Sequence, residues 1–313
     1  KFGVGLGPNA PLLTTDEQLG LTVIGGQFTT YNGIAANRIA RLLEDGNEDT
    51  SFQKGSGANG DVLGFAVDAN ANPLLTTNVS KLLVVGSFTQ FNGNGSFARI
   101  VRLLTNGVID TSFASVNPDA DVRAVVVQPD GKILIAGSFT QVGATPVGKI
   151  ARLEADGSLD TSFTTGGGAG ADIHAILLQS DGKIVIAGEF TNFDGANVNR
   201  IARLNTDGTL DTTFDSGAGA NATVRALVED GGFIYAGGDF TGPSFGIAVT
   251  NKVISSLVAT LQMNSAHGFN VGSTVEVSIG DVNFDGVHVL TAVDVGNRTV
   301  SYAVTAGDVI SSE

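Results

Sequence analysis

The sequence contains no cysteine and no tryptophan, and charged residues make up only 15% of its 313 residues. Without cysteine, disulfide bonds and cysteine-ligated zinc are excluded, and redox chemistry does not indicate a compartment. The net charge is −14, which argues against nucleic acid and anionic membranes as partners because phosphate binding needs a basic surface. No apolar run approaches the roughly 18 residues of a membrane span, and no signal peptide is recognisable. We therefore expect no membrane insertion.

Glycine, by contrast, is abundant, with 43 residues, and hydrophobic residues make up 42% of the chain. This combination suits tight turns between short, well-buried strands. The dominant feature is an internal repeat. The motif Gly-x-Phe-Thr recurs at intervals of 60, 51, 51 and 50 residues, and an insertion near Asn70–Val79 lengthens the first interval. The repeated residues are Phe28, Phe88, Phe139, Phe190 and Phe240; Arg41, Arg102, Arg152 and Arg203; and Asp49–Phe52, Asp110–Phe113, Asp160–Phe163 and Asp211–Phe214.

Turn residues indicate the architecture of one unit. Asn-Gly and Asp-Gly between apolar runs are strong hairpin signals, because both central residues of the turn need positive φ. Three such turns per unit predict four antiparallel strands, and consecutive apolar residues such as Ile133–Ala136 predict a strand buried on both faces. In residues 121–163, the runs Val122–Gln128, Ile133–Thr140, Lys149–Glu154 and Leu159–Phe163 are separated by turns at Asp130-Gly131, Gly143 and Asp156-Gly157.

Repeated four-stranded units of about 50 residues predict the blades of a β-propeller. The sequence therefore predicts an all-β fold, with a propeller of about five blades over residues 1–252 and a small β-sandwich or barrel-like module over residues 253–313. The repeated phenylalanines are expected to fill the space between blades. The units are 1–53, 54–113, 114–163, 164–214 and 215–252, and their first strands are Phe2–Leu6, Val62–Val67, Val122–Val127, Ile173–Leu178 and Val224–Val228.

The fifth unit is incomplete. Its third strand is a poor match near Gly246–Thr250, and its fourth strand is missing. Because folds avoid open edge strands, we expect residues before position 1, or the stretch near Val253–Val258, to close the ring. An open array or a solenoid is the alternative. The first residue is Lys and the sequence stops at Ser-Ser-Glu, so we expect a processed chain or the ordered part of a longer one.

The segment Asp-Gly-Lys-Ile-Leu-Ile-Ala-Gly-Ser-Phe-Thr at 130–140, with Ile-Ala-Arg-Leu at 150–153 and Asp-Thr-Ser-Phe at 160–163, resembles the delta-60 β-propeller repeat. The resemblance covers about residues 1–250, and the first and last copies depart from it. It implies a propeller of bacterial surface or secreted proteins, or of phage structural proteins, and it implies no catalytic residues.

Residues 253–313 have a different pattern. Ala266-His267-Gly268-Phe269, Val271–Val275, Phe284-Asp285-Gly286 and Thr299–Tyr302 resemble a small β-module of phage virion proteins, particularly tail and fibre components. Ser273 stands where Asp is usual and Asp285 where Asn is usual. This resemblance is the main reason to expect a virion protein.

Several motifs have a structural explanation as well as a functional one. Gly55–Gly60 fits the dinucleotide fingerprint, but no helix is predicted to follow it, so we interpret it as an inter-blade loop. Asp281-x-Asn283-x-Asp285-Gly286 matches the start of a calcium loop, yet Ala292 occupies the position of the bidentate Glu, so we interpret it as a hairpin turn. Each repeated Arg precedes an Asp by eight residues, which predicts a structural ion pair in every blade.

We predict no catalytic, cofactor-binding or metal-binding residue, and no enzymatic activity. His174, His267 and His288 lack metal-ligand spacing and are expected to be structural. A carboxylate pair at glycosidase distance is not excluded, but no particular pair is indicated.

Three functions remain open. The first is a bacteriophage virion structural protein, in the tail, fibre, baseplate or a capsid appendage, that displays loops and contacts other virion proteins as a homo-oligomer. The second is a bacterial surface or secreted propeller that binds a glycan or protein, and the third is a polysaccharide-acting hydrolase. The loops that break the repeat, Asn70–Val79 and Gly143–Gly148, are the candidate binding surfaces.

Overall fold

The computed structural model contains only β-strands, turns and loops in the residues that it describes, which confirms the all-β fold class. The chain divides into two compact units, Lys1–Pro243 and Ser244–Glu313. The division falls at 243/244, whereas the sequence pattern placed it at 252/253. The described residues are 12–18, 21–68, 80–214, 216, 219–230, 233–241, 249–255, 258–263, 274–277, 286–294 and 299–303.

The described part of the first unit contains eight antiparallel sheets. Three are small hairpins of two-residue strands, and we number the other five as blades 1–5 in chain order. Blades 1–4 have three paired strands, in the orders β1-β2-β5, β6-β7-β8, β9-β10-β13 and β14-β15-β18, and blade 5 has only β19-β20. The strands are β1 (Leu12–Gln18), β2 (Leu21–Gly26), β3 (Thr30–Tyr31), β4 (Ile34–Ala35), β5 (Ile39–Leu42), β6 (Val62–Asp68), β7 (Lys81–Gly86), β8 (Ile100–Leu103), β9 (Val122–Val127), β10 (Ile133–Gly137), β11 (Gln141–Val142), β12 (Thr145–Pro146), β13 (Ile150–Leu153), β14 (Ile173–Leu178), β15 (Ile184–Gly188), β16 (Asn192–Phe193), β17 (Ala196–Asn197), β18 (Ile201–Leu204), β19 (Val224–Asp230) and β20 (Phe233–Gly238).

The predicted fourth strand of each complete blade is reduced to one bridge beside the third strand. An Asx-Gly turn separates the two partners, so the segment folds back at once and contacts the third strand over a single residue pair. The bridges are Leu42–Glu48, Leu103–Ile109, Leu153–Leu159 and Leu204–Leu210.

At both ends of the propeller, the described strands differ from the residues that the sequence indicated. The strand that pairs with β2 is Leu12–Gln18, because a two-residue connection to β2 favours a hairpin; Phe2–Leu6 lies outside the described residues. The stretch near Val253–Val258 does not complete blade 5. It belongs instead to two strands of the second unit, which pair with each other, and so does the end of the proposed third strand, Gly246–Thr250.

The middle strands of blades 2–4 form much of the core, since their side chains alternate between two neighbouring sheets. Ile133 and Ile135 of β10 pack with blade 2, while Leu134 and Ala136 pack with blade 4. All four are fully buried, which explains why the sequence is apolar at consecutive positions here. Phe139 of the Gly-x-Phe-Thr motif is also fully buried against blade 2, as predicted.

The second unit contains one antiparallel sheet in its described part. Its strands are β21 (Val249–Ser255), β22 (Val258–Met263), β23 (Thr274–Val277), β24 (Gly286–Asp294) and β25 (Thr299–Ala303), in the order β21-β22-β25-β24-β23. Val277 pairs with Gly286, so residues 278–285 join two adjacent antiparallel strands. Asp281, Asn283 and Asp285, interpreted above as a hairpin turn, lie in that connection, outside the described residues. His267 also lies outside the described residues.

Candidate functional site

The repeated Arg and Asp form an ion pair in each complete blade, as the eight-residue spacing predicts. In blade 2, Arg102 donates from Nε to Asp110 Oδ2 over 2.8 Å, and the side chains are only 5% and 7% exposed. The third strand holds the Arg, and the fold-back after the Asx-Gly turn brings the Asp beside it. The equivalent pairs are Arg41–Asp49, Arg152–Asp160 and Arg203–Asp211.

In blades 2–4 a lysine at the start of the second strand, or immediately before it, joins the pair. In blade 2, Lys81 Nζ lies 2.7 Å from Asp110 Oδ2, and Ser112 donates to the other carboxylate oxygen. Burial alone would raise the pKa of Asp110, but the hydrogen bonds from Lys81 and Ser112 and the charge of Arg102 outweigh it and hold that pKa well below its usual range. Lys132 and Lys183 make the same contact with Asp160 and Asp211.

Each Arg also lies over the phenylalanine that ends its own repeat. The distance from the guanidinium carbon of Arg102 to the ring centroid of Phe113 is 4.6 Å, which is cation–π geometry. Arg, Asp and Phe therefore form a compact group at the end of the third strand in every complete blade. The other stacked pairs are Arg41–Phe52, Arg152–Phe163 and Arg203–Phe214.

This group receives a turn of the following blade, and we call it the turn socket. In blade 2, Arg102 Nη1 donates to Ala155 O, and the backbone nitrogen of Ala114 donates to Asp156 O, each over 2.6 Å. Gly157 then lies against Phe113: a Cβ there would be 2.7 Å from a ring carbon. In the same way, Thr105-Asn106-Gly107 enters the socket of blade 1, and Thr206-Asp207-Gly208 that of blade 3.

The socket of blade 4 contains no such turn among the described residues. Arg203 keeps its pair with Asp211 and lies over Phe214 at 4.7 Å. A cleft of about 220 Å³ opens beside these three side chains, and Ile201 and Leu210 also line it. Arg203 is 21% exposed, compared with 5% for Arg102. This position is therefore built like the three filled sockets, but no turn of the described part of the chain occupies it.

Blade 5 is unfinished next to this cleft. In blades 1–4 the second strand pairs with a third strand, whereas β20 pairs only with β19 in the described part of the chain. Val228, Phe233 and Tyr235 are 58%, 69% and 52% exposed. Tyr235 stands five residues before Phe240 of the repeat motif, and the residues at this position in blades 1–4, Val23, Leu83, Leu134 and Val185, are all fully buried.

A second group of polar contacts joins the first strand to the end of the second strand in blades 3–5. In blade 3, Arg123 Nε donates to Ser138 Oγ over 3.2 Å. His174 Nε2 lies 3.0 Å from Glu189 Oε1, and the next blade has Arg225 and Asp239 in the same places. Similar contacts in successive blades indicate a scaffold. Within the described residues, no three His, Cys, Asp or Glu side chains come together as a possible metal site.

The structure changes the interpretation of the proposed binding loops. Gly143–Gly148 contains the second strand of a small hairpin, β11–β12, which blades 1 and 4 repeat as β3–β4 and β16–β17. The prediction that Gly143–Gly148 breaks the repeat was therefore wrong. Its residues Ala-Thr-Pro-Val differ from those of the equivalent hairpins, so the sequence does not reveal that the hairpin is shared. Asn70–Val79 lies outside the described residues. Gly55–Gly60 leads into a strand, β6, and joins blades 1 and 2 through Asn37 and Asn92.

Sequence reasoning found the Arg–Asp pair but missed the socket, since the turn that fills it lies about 50 residues further along the chain. Two signals were available. The Gly of the Asx-Gly turn and the Phe of Asp-Thr-Ser-Phe occur together in each of the first four units, and the fifth unit lacks both.

Comparison with known proteins supports the propeller repeat. Residues 20–52, 80–113, 128–163 and 179–214 match the model of a β-propeller family described as a domain of unknown function, DUF5122. The matched segments cover the second strand, third strand and turn socket of blades 1–4. No curated protein matches the chain.

Three solved structures have a related arrangement at low similarity. Two are extracellular domains of hybrid two-component systems from B. thetaiotaomicron, with 11% and 13% identity, TM-scores of 0.45 and 0.43, and coverage of 94% and 93% of this chain. The third is PorZ, a bacterial surface component of the type-IX secretion system of Porphyromonas gingivalis, with 12% identity, a TM-score of 0.28 and 91% coverage. The chain spans 35%, 41% and 34% of these proteins, and similarity at this level identifies no function.

The expectation of a virion protein gains no support from these comparisons. It rested on residues 253–313, and the family match ends at residue 214. None of the described residues forms a helix long and apolar enough to cross a membrane.

Proposed function

We propose that this chain is a bacterial surface or secreted β-propeller that binds a protein partner through its unfinished fifth blade. The observation that carries the proposal is the contrast between blade 5 and the four complete blades. β20 has a free edge in the described residues. Tyr235 is exposed at a position that blades 1–4 bury fully, and Val228 and Phe233 are exposed beside it.

A polypeptide suits this surface better than a glycan. A free strand edge presents a row of unpaired N–H and C=O groups, which another strand satisfies. The neighbouring apolar side chains add contact area that becomes buried when a partner strand is added. Blades 1–4 supply the rigid part, since each is locked to the next by its turn socket or its core.

The location at the surface or outside the cell is one of the two settings that the delta-60 resemblance implies, the other being a phage particle. The test is to add protease to intact cells of the source bacterium and to follow this chain by immunoblot. We expect it to be digested, or to be found in the medium, while a cytoplasmic marker remains intact. A chain protected as completely as the marker would contradict the surface assignment.

The binding proposal is tested by photo-crosslinking in those cells. A photoreactive amino acid replaces Tyr235, and in a control it replaces Val108, an exposed residue on a turn of complete blade 2. We expect a discrete crosslinked protein band from position 235 and none from position 108. If position 235 gives no band, or the same bands as position 108, blade 5 is not a specific binding surface.

A further inference from the structure

One β-hairpin performs two tasks at each joint between complete blades. In blade 3, β13 pairs with β10 and completes the sheet. The turn that follows β13, Ala155-Asp156-Gly157, enters the turn socket of blade 2. Within the described residues, the free edge of β20 and the socket of blade 4, which no described turn fills, therefore occupy the two positions that a single hairpin fills elsewhere.

The geometry points to a partner β-hairpin of defined chemistry: its first strand pairs with Ile234–Gly237 of β20, and its turn, of the form X-Asx-Gly, enters the cleft at Arg203 and Phe214. This inference rests on the proposed protein-binding function and specifies which feature of the partner is recognised. Ile234–Gly237 corresponds to Ile133–Ala136, which pairs with β13 in blade 3; both segments begin six residues before the Phe of the repeat motif.

Arg203 determines what the turn must offer. The equivalent Arg102 and Arg152 each donate from Nη1 to the carbonyl oxygen of the residue before Asx, over 2.6 Å. In the described residues, the acceptor recorded for Arg203 is Asp211, which Nε contacts. A backbone carbonyl at the tip of a tight turn supplies the missing acceptor, and the hydrogen bond is strengthened by the charge of the guanidinium.

Phe214 determines the residue after Asx. At the filled sockets the turn glycine lies against the phenylalanine, and a Cβ on Gly107, Gly157 or Gly208 would be 2.9, 2.7 and 3.0 Å from the nearest ring carbon. These glycines also have positive φ, from 85° to 94°, a conformation in which other residues are strained. Glycine is therefore required at this position of the partner for two independent reasons.

The edge of blade 5 accepts such a hairpin although it lacks the lysine that contacts the paired aspartate in blades 2–4. Phe233 stands where blades 2–4 have Lys81, Lys132 and Lys183, seven residues before the motif Phe. Blade 1 has Leu21 at this position, and its Arg41 and Asp49 still pair, at 2.7 Å. An Arg–Asp pair inside the hairpin is neutral by itself, so no lysine is needed beside it.

The experiment uses a hairpin of this chain as the probe and the full chain as the receptor. The peptide contains residues 149–163, which fill the blade 2 socket, with its ends joined through a glycine linker because an isolated hairpin is marginally stable. The matched control peptide carries Gly157→Val. Binding is measured by calorimetry with the wild-type chain and with Arg203→Lys, which keeps the charge but removes the guanidinium fork.

We expect saturable binding of the wild-type peptide, at least tenfold weaker binding of the Gly157→Val peptide, and about tenfold weaker binding to Arg203→Lys. No binding, or equal binding of the two peptides, overturns the inference. If the chain alone forms a dimer that Arg203→Lys abolishes, a second copy fills the cleft and the inference of a separate hairpin is overturned. A crosslink at position 235 without peptide binding would leave the proposed function standing with another partner chemistry.

Discussion

Arg102 connects two blades through one side chain: its Nε pairs with Asp110 Oδ2 at 2.8 Å inside blade 2, while its Nη1 donates to Ala155 O of blade 3 at 2.6 Å. The guanidinium also lies 4.6 Å from the centroid of Phe113. One cation therefore satisfies the buried carboxylate of its own blade and the turn carbonyl of the next, and it covers an aromatic ring. Because an equivalent arginine recurs in every complete blade, these contacts of Arg102 belong to the scaffold. Their contribution to the free energy of unfolding can be measured by mutation.

Replacement of Arg102 by Met should lower the free energy of unfolding by about 3 kcal/mol, because Asp110 keeps Lys81 but loses the guanidinium, and the carbonyl of Ala155 loses its donor. Arg203→Met is the matched control. Arg203 makes the same pair within its blade, but it is more exposed and no turn fills its socket in the described structure, so its loss should cost clearly less. Urea unfolding followed by circular dichroism measures both, and equal costs would mean that the bond between blades adds no stability.

Replacement of Gly157 by Ala tests the contact between the turn and the socket. Gly157 and Gly195 both have positive φ, at 91° and 78°, so an Ala at either position is strained by about 1–2 kcal/mol. A Cβ at 195 meets nothing within 4 Å, whereas a Cβ at 157 lies 2.7 Å from the Phe113 ring. Gly157→Ala should therefore cost a further 1–3 kcal/mol for overpacking. Equal losses in thermal unfolding would show that the turn does not seat against the ring.

Replacement of Phe139 by Ala should cost about 3–5 kcal/mol, because it empties a fully buried site between blades 2 and 3. Phe233→Ala serves as the control, since that side chain is 69% exposed, and its loss should change the free energy of unfolding by less than about 0.5 kcal/mol. Denaturant titration of the two variants distinguishes them. A small effect at Phe139 would mean that the assigned register of β10 is wrong.

Features set by local spacing were predictable from the sequence. The middle strands are apolar at consecutive positions, which predicts their burial. Each Arg and its Asp are eight residues apart on either side of an Asx-Gly turn, so the chain folds back and brings them together. Both features were therefore predicted from the sequence. The turn socket was not, since Arg102 and Ala155 lie 53 residues apart and meet only when two blades pack. The first strand was also misplaced, because Phe2–Leu6 and Leu12–Gln18 are both plausible strands, and only pairing with β2 distinguishes them.

Acid should weaken the propeller through its buried aspartates. Hydrogen bonds from lysine and serine, together with the arginine charge, outweigh the effect of burial and hold the pKa values of Asp110 and Asp160 far below the ordinary range. In the unfolded chain an Asp titrates near pH 3.9. The stabilisation is therefore fully present above about pH 5, and it is lost progressively as the pH falls below about 4 toward the folded-state values. Urea unfolding at pH 7, 5, 4 and 3 should show this loss.

The variant Asp110→Asn assigns part of that acid dependence to one residue. Asn cannot gain a proton, so the variant should be less stable than the wild type at pH 7, and the difference should shrink as the pH approaches 3. Asp130→Asn, on an exposed turn of blade 3, changes a carboxylate in the same way without disturbing a socket, and it should keep the full acid dependence of the wild type. If Asp110→Asn loses stability on acidification as steeply as Asp130→Asn, the proton uptake that destabilises the propeller occurs at other carboxylates, and the Arg–Asp–Lys cluster of blade 2 is not where acid acts.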